Sequence, residues 1–91
     1  MIDENVEQAL AALKAEYPML DGLALLILYG LRGGLSGNSR RIAKELGVEH
    51  ALIIRAAQEL AEAGCAVVET TDSRSGRIAI SLAPDQPSSP L

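Results

Sequence analysis

The sequence predicts an α+β domain that is mainly helical, with four helices leading into a C-terminal β-hairpin. Apolar residues recur every three or four positions through the first two thirds of the chain, the spacing that lays one stripe along an α-helix. From Cys65 the period falls to two, which sends alternate side chains to opposite faces of a strand. Pro18, the pair Gly33-Gly34, Gly47 and Gly64 divide these stretches, and each is a residue type that stops a helix.

The first helix begins after Asp3, a capping residue, with Glu4 and Glu7 in the first turn where the helix dipole favours acids. Ile2, Val6, Leu10, Leu13 and Tyr17 follow at intervals of four, four, three and four, an amphipathic stripe that ends at Pro18. A second helix runs from about Asp21 to Leu31. Its Leu23–Tyr29 stretch is apolar nearly all round, so it belongs at the centre of the core. Leu35-Ser36-Gly37-Asn38 is a short connection. A third helix then covers Ser39 to Leu46, with Ile42, Ala43 and Leu46 inward and Gly47 at the left-handed position that closes it. A fourth helix occupies about Glu49 to Ala63.

Ala66–Thr71 and the alternating Ile78, Ile80 and Leu82 form the two strands, joined by the polar turn Asp72-Ser73-Arg74-Ser75-Gly76-Arg77. Residues 83–91 hold three prolines and two serines and are expected to be a disordered tail. The chain thus divides into an N-terminal amphipathic helix (1–19), a compact domain (20–82) and the tail.

At 91 residues, 48% hydrophobic and 22% charged, the composition is that of one ordinary globular domain. A single cysteine excludes an internal disulfide framework and a four-cysteine zinc site, and a single histidine excludes any site needing two imidazoles. With two tyrosines and no phenylalanine or tryptophan, stacking platforms for single strands or flat cofactors have almost nothing to be built from. No nucleophile–histidine–acid set is visible, the glycines at 30, 33, 34 and 37 lack the lysine-serine ending of a phosphate cradle, and no cluster has metal-ligand spacing. Neither an enzyme, a cofactor nor a metal is expected. The longest apolar run, Leu23 to Leu31, falls short of the ~20 residues of a membrane span. The acidic first residues do not resemble a secretory signal, so a soluble, cytoplasmic protein is expected. Net charge is −4, but residues 1–31 carry five acids and one lysine whereas residues 32–80 carry seven bases against six acids. The acid excess is concentrated at the N-terminus.

Helix, link, helix, tight turn, helix and hairpin is the order of a winged helix-turn-helix domain, and the resemblance extends to residues. Ser39-Arg-Arg-Ile-Ala-Lys-Glu-Leu-Gly-Val48 resembles the helix–turn segment of many bacterial regulators. Glu59-Leu-Ala-Glu-Ala-Gly-Cys-Ala-Val-Val68 is similar to their passage from recognition helix into wing, and Asp72-Ser-Arg-Ser-Gly-Arg77 to the wing tip of the MarR group. Ser75 stands where that group favours aspartate, Glu49 where a capping serine or threonine is usual, and residues 83–91 hold no counterpart of its long dimerisation helix. The resemblance spans about residues 20–82 and implies a duplex-DNA-binding transcriptional regulator with its recognition helix at about 49–63 and its wing at 72–77.

The residues themselves are compatible with that role. A small Ala43 lets the following helix approach, and Gly47 permits the sharp turn. Ile42, Leu46, Val48, Ile53, Ala57 and Leu60 then share one core, leaving Ala51, Arg55, Gln58 and Glu62 on the outer face of the fourth helix, flanked by His50 and Ile54. In the major groove Arg55 can bond guanine and Gln58 adenine, and Ala51 or Ile54 can touch thymine methyls. Arg40, Arg41 and Lys44 are placed for phosphates, and Arg74 or Arg77 at the wing tip for the minor groove.

The same pattern has a plainer interpretation. Arg41 and Glu45 form an ordinary i,i+4 pair, Glu49 would repel phosphate, and an exposed Ile54 suits a protein contact equally well. The alternative is therefore a winged helix that docks a protein partner through Leu52, Ile54 and the wing, as an accessory subunit without DNA binding. The Ile2–Tyr17 stripe either covers the core or, in part, pairs with a second copy; the homodimer is expected, since one domain reads too few base pairs alone. Cys65 is expected to be a buried structural thiol rather than a redox sensor, and His50 a solvent-facing residue rather than a pH-sensitive contact.

Overall fold

The structure, a computed structural model, describes residues 4–84. The expected cap at Asp3, the first stripe residue Ile2 and the expected tail from residue 85 lie outside the described residues. In chain order the elements are α1 (Glu4–Glu16), α2 (Gly22–Arg32), α3 (Ser39–Leu46), α4 (His50–Glu62), β1 (Ala66–Asp72) and β2 (Arg77–Leu82). Four helices followed by an antiparallel hairpin is the layout of a winged helix, and the boundaries lie within a residue or two of those expected.

α1 applies its stripe to the body of the chain: Leu13 is buried, and Leu10 and Tyr17 pack against the core. After Pro18 the chain turns, and the Lys14 ammonium donates to the carbonyls of Pro18 and Leu20 at 3.1 and 2.8 Å, fixing that turn. Asp21 caps α2 by accepting from the Ala24 N–H at 2.9 Å. α2 is the central rod, with Ala24, Leu25, Ile27, Leu28 and Leu31 buried against α1, α4 and β2.

The stretch 35–38 is more than a connection. The Gly37 carbonyl accepts from the Ile80 N–H at 2.8 Å, and Asn38 forms a single antiparallel bridge with Ala79. The link thus adds a one-residue third strand to the free edge of β2. Gly37 is required by that close approach, because a Cβ there would overlap the Ile80 carbonyl oxygen.

Asn38 then turns its side chain onto α3, accepting from the Arg40 and Arg41 N–H groups at 3.0 and 3.2 Å. Ile42 and Ala43 are buried on α3, and Gly47 closes it at φ 68°, a left-handed value that costs glycine little. α4 buries Ile53, Ala56, Ala57 and Leu60. Glu49 occupies its N-cap position without making a side-chain cap bond, as its departure from serine or threonine foreshadows.

Cys65 is fully buried at the start of the hairpin, consistent with a structural thiol. The strands pair with Ala66 opposite Leu82, Val68 opposite Ile80 and Thr70 opposite Ile78, and the register shifts between Thr70 and Asp72. Ala66, Ile78 and Ile80 face the core, while Val67 on the other face is exposed. The Ala83 N–H donates to the Cys65 carbonyl at 3.1 Å, pinning the root of the hairpin, so the buried Ala83 belongs to the hairpin and not to the expected 83–91 tail.

Candidate nucleic-acid interface

Two surfaces hold the residues singled out for DNA. The first is the outer face of α4, where Ala51, Arg55, Gln58 and Glu62 are all exposed. They lie opposite the buried Ile53, Ala57 and Leu60, as a 3.6-residue period requires. Leu52, 44% exposed, lies on the outside as well. Arg55 is the single arginine or lysine of this helix, and its Nε stands 3.9 Å from Glu59 Oε2.

Two expectations for α4 need correction. Ile54 is half-buried and packs against the core, so much of its surface already belongs to the fold. His50 is not solvent-facing: it is half-buried, with Nε2 2.8 Å from the Ser39 hydroxyl. Ser39 is itself fully buried, and its Oγ also accepts from the Ile78 N–H at 2.9 Å. One hydroxyl therefore joins the N-terminal ends of α3 and α4 to the start of β2. With its oxygen accepting from Ile78, the Ser39 O–H can donate to a neutral His50 ring. Burial chiefly, and the neighbouring Arg40 charge second, hold the His50 pKa below its ordinary 6.5, which favours that neutral ring.

The second surface lies between α3 and β2. Asn38, Arg40, Arg41, Lys44, Glu45 and Arg77 line an open groove of about 680 Å³. Arg40 reaches across it, its Nη2 donating to the Ser75 carbonyl at 2.7 Å, and so ties α3 to the hairpin turn. Arg41 pairs with Glu45 at 3.2 Å. Arg77 stands 3.9 Å from Asp72. Exposed pairs of this kind are worth at most about 1 kcal/mol, so an incoming anion can displace the carboxylates.

Arg77, expected at the wing tip, is instead the first residue of β2 and belongs to this groove. Arg74 remains at the tip, exposed. Its N–H donates to Asp72 Oδ1 at 3.0 Å, and that bond, foremost, lowers the Asp72 pKa and orders the turn. Arg40, Arg41, Lys44 and Arg77 are therefore brought together, whereas Arg55 stands on α4 and Arg74 on the turn.

Sequence reasoning missed Ser39 and Asn38. Ser39 was legible only as the small polar start of a helix–turn segment. Asn38 carried a stronger signal, an N-cap residue directly before an apolar helical period. A further groove of about 880 Å³ lies between α1 and the end of α2, walled by Ala9, Ala12, Leu13, Tyr29 and Leu35 among others.

Among the described residues no three His, Cys, Asp or Glu side chains are grouped to hold a metal ion, and no helix is long and apolar enough to cross a membrane. No protein-family model, no curated protein and no solved structure matches the chain.

Proposed function

We propose that the protein binds duplex DNA as a cytoplasmic transcriptional regulator, with the outer face of α4 in the major groove. Ala51, Arg55 and Gln58 meet base edges there, and Arg74 enters the minor groove from the hairpin turn. The observation that supports this best is the Ser39 junction. By bonding both His50 and Ile78, it sets the leading end of the exposed helix beside the groove that holds Arg40, Arg41, Lys44 and Arg77. A helix of groove-fitting diameter next to phosphate-binding cations is the arrangement that winged helices use on DNA.

Fluorescence anisotropy with a labelled random duplex at low salt tests the proposal. Binding at micromolar protein, weakened by Arg55→Ala and Arg74→Ala together, is expected. Absence of binding at tens of micromolar overturns it.

A homodimer completes the proposal, because one domain reaches only one half-site; the described part of the expected stripe does not carry it, since Leu10, Leu13 and Tyr17 pack on the chain's own core. Sedimentation equilibrium over a concentration series tests this, and a monomer throughout refutes it.

The second reading is a protein-docking winged helix. What favours it is the 44% exposure of Leu52 on a helix whose only cation is outnumbered by Glu59 and Glu62, with a further acid, Glu49, at its N-cap. Under that reading Leu52→Asp abolishes partner capture, while Arg55→Ala changes little.

A further inference from the structure

We infer that the junction of Ser39, His50 and Ile78 is a proton-operated latch between α4 and the hairpin. A proton taken from solvent onto His50 Nε2 reverses the bond to Ser39 and loosens β2 from the leading end of the exposed helix. The inference goes beyond the DNA-binding proposal and stands on the protein alone, whatever target α4 meets.

The geometry leaves Ser39 little choice. Its side chain is fully buried, its oxygen accepts from the Ile78 N–H at 2.9 Å, and the same oxygen lies 2.8 Å from His50 Nε2. A hydroxyl has one proton to give, and an amide N–H can only donate. With Nε2 bare, the Ser39 proton goes to the ring and all three groups are satisfied at once.

Protonation makes the ring a donor at both nitrogens. The Ser39 oxygen then faces two donors, and its own proton loses its acceptor in a buried position, which is unfavourable. A charged donor also holds an oxygen more strongly than a neutral amide does. The competition therefore falls on the Ile78 bond, through which β2 is attached.

Three charged residues adjoin the junction along the chain: Arg40 after Ser39 on α3, Arg77 before Ile78 on β2, and Glu49 before His50 at the head of α4. Burial first, and the Arg40 charge second, disfavour the imidazolium. Arg40 is kept in place by its bond to the Ser75 carbonyl at 2.7 Å. The first turn of α4 works in the same sense, because the positive end of the helix dipole repels a cation. Glu49 alone of the three favours the charged ring. The latch is therefore closed above the ring's midpoint and opens as pH falls through it.

His50 is the single histidine of the sequence, so nitrogen NMR of the full, isotopically labelled chain reads its ring directly. At about pH 8, Nε2 is expected to be the bare acceptor and Nδ1 to carry the proton, with the ring titrating below 6.5. Across that same midpoint the Ile78 amide proton should move upfield. Its protection against exchange, corrected for the intrinsic rate, should fall about tenfold, while that of Leu28 in the middle of α2 holds. His50→Gln accepts without titrating and should make the Ile78 amide insensitive to pH. Ser39→Ala removes the ring's donor and should raise its midpoint. A neutral ring protonated at Nε2, an Ile78 amide that does not follow the ring, or an Ile78 response that survives in His50→Gln would each overturn the latch.

Discussion

Ser39 shows how much one small side chain can organise. Its hydroxyl is fully buried, accepts from the Ile78 N–H and bonds His50 Nε2. Ser39→Ala removes the hydroxyl and strands the Ile78 donor away from water. Unpaired buried donors cost about 1–3 kcal/mol, so urea denaturation should show a loss of that order. His50 adds a pH dependence. Its folded pKa lies below 6.5, so as pH falls the unfolded chain takes up this proton first and is favoured. The contribution is complete well above pH 6.5 and declines as the pH falls below it. Comparing urea midpoints above and below that value should show the decline in wild type and a smaller one in His50→Gln. Residue identities at the junction were visible in the sequence, but their meeting was not, because it joins positions 39, 50 and 78 through the tertiary fold rather than through any local period.

Among the elements, helices were the most legible. α3 runs from Ser39 to Leu46, as its apolar spacing and Gly47 indicate, and Asp21 caps α2 as a residue of its type should. The link 35–38 was not legible, since a strand one residue long has no period to detect. Its consequence is measurable at Gly37. Gly37→Ala sets a methyl group against the Ile80 carbonyl, a backbone atom that cannot rotate away. Loss of the bridge and its overpacking should cost about 3 kcal/mol. Amide exchange at Ile80, whose N–H donates to Gly37, should accelerate more than exchange in the middle of α2. Equal acceleration at both sites would mean that the link is no part of the sheet.

Over the whole molecule, the division of charge was half legible. The sequence located seven of the eight cations in residues 32–80 and assigned Arg40, Arg41 and Lys44 to one helix. Placing Arg77 with them required the hairpin's fold back onto α3, and removing Arg40 from the free cations required the Ser75 contact. The hairpin is held at four places: Ala83 to Cys65 at its base, Gly37 to Ile80 along its edge, Ser39 to Ile78 at the start of β2, and Arg40 to Ser75 near its end. A flap so fastened has little freedom left to surrender. Under the proposed DNA-binding function, docking would then resemble a key already cut, with a small penalty for ordering side chains and backbone and an on-rate governed by electrostatic steering. Amide resonances of residues 66–82 should move on titration with duplex yet keep the same fast-timescale order, whereas a large gain in order would show that the flap becomes rigid only on meeting its target.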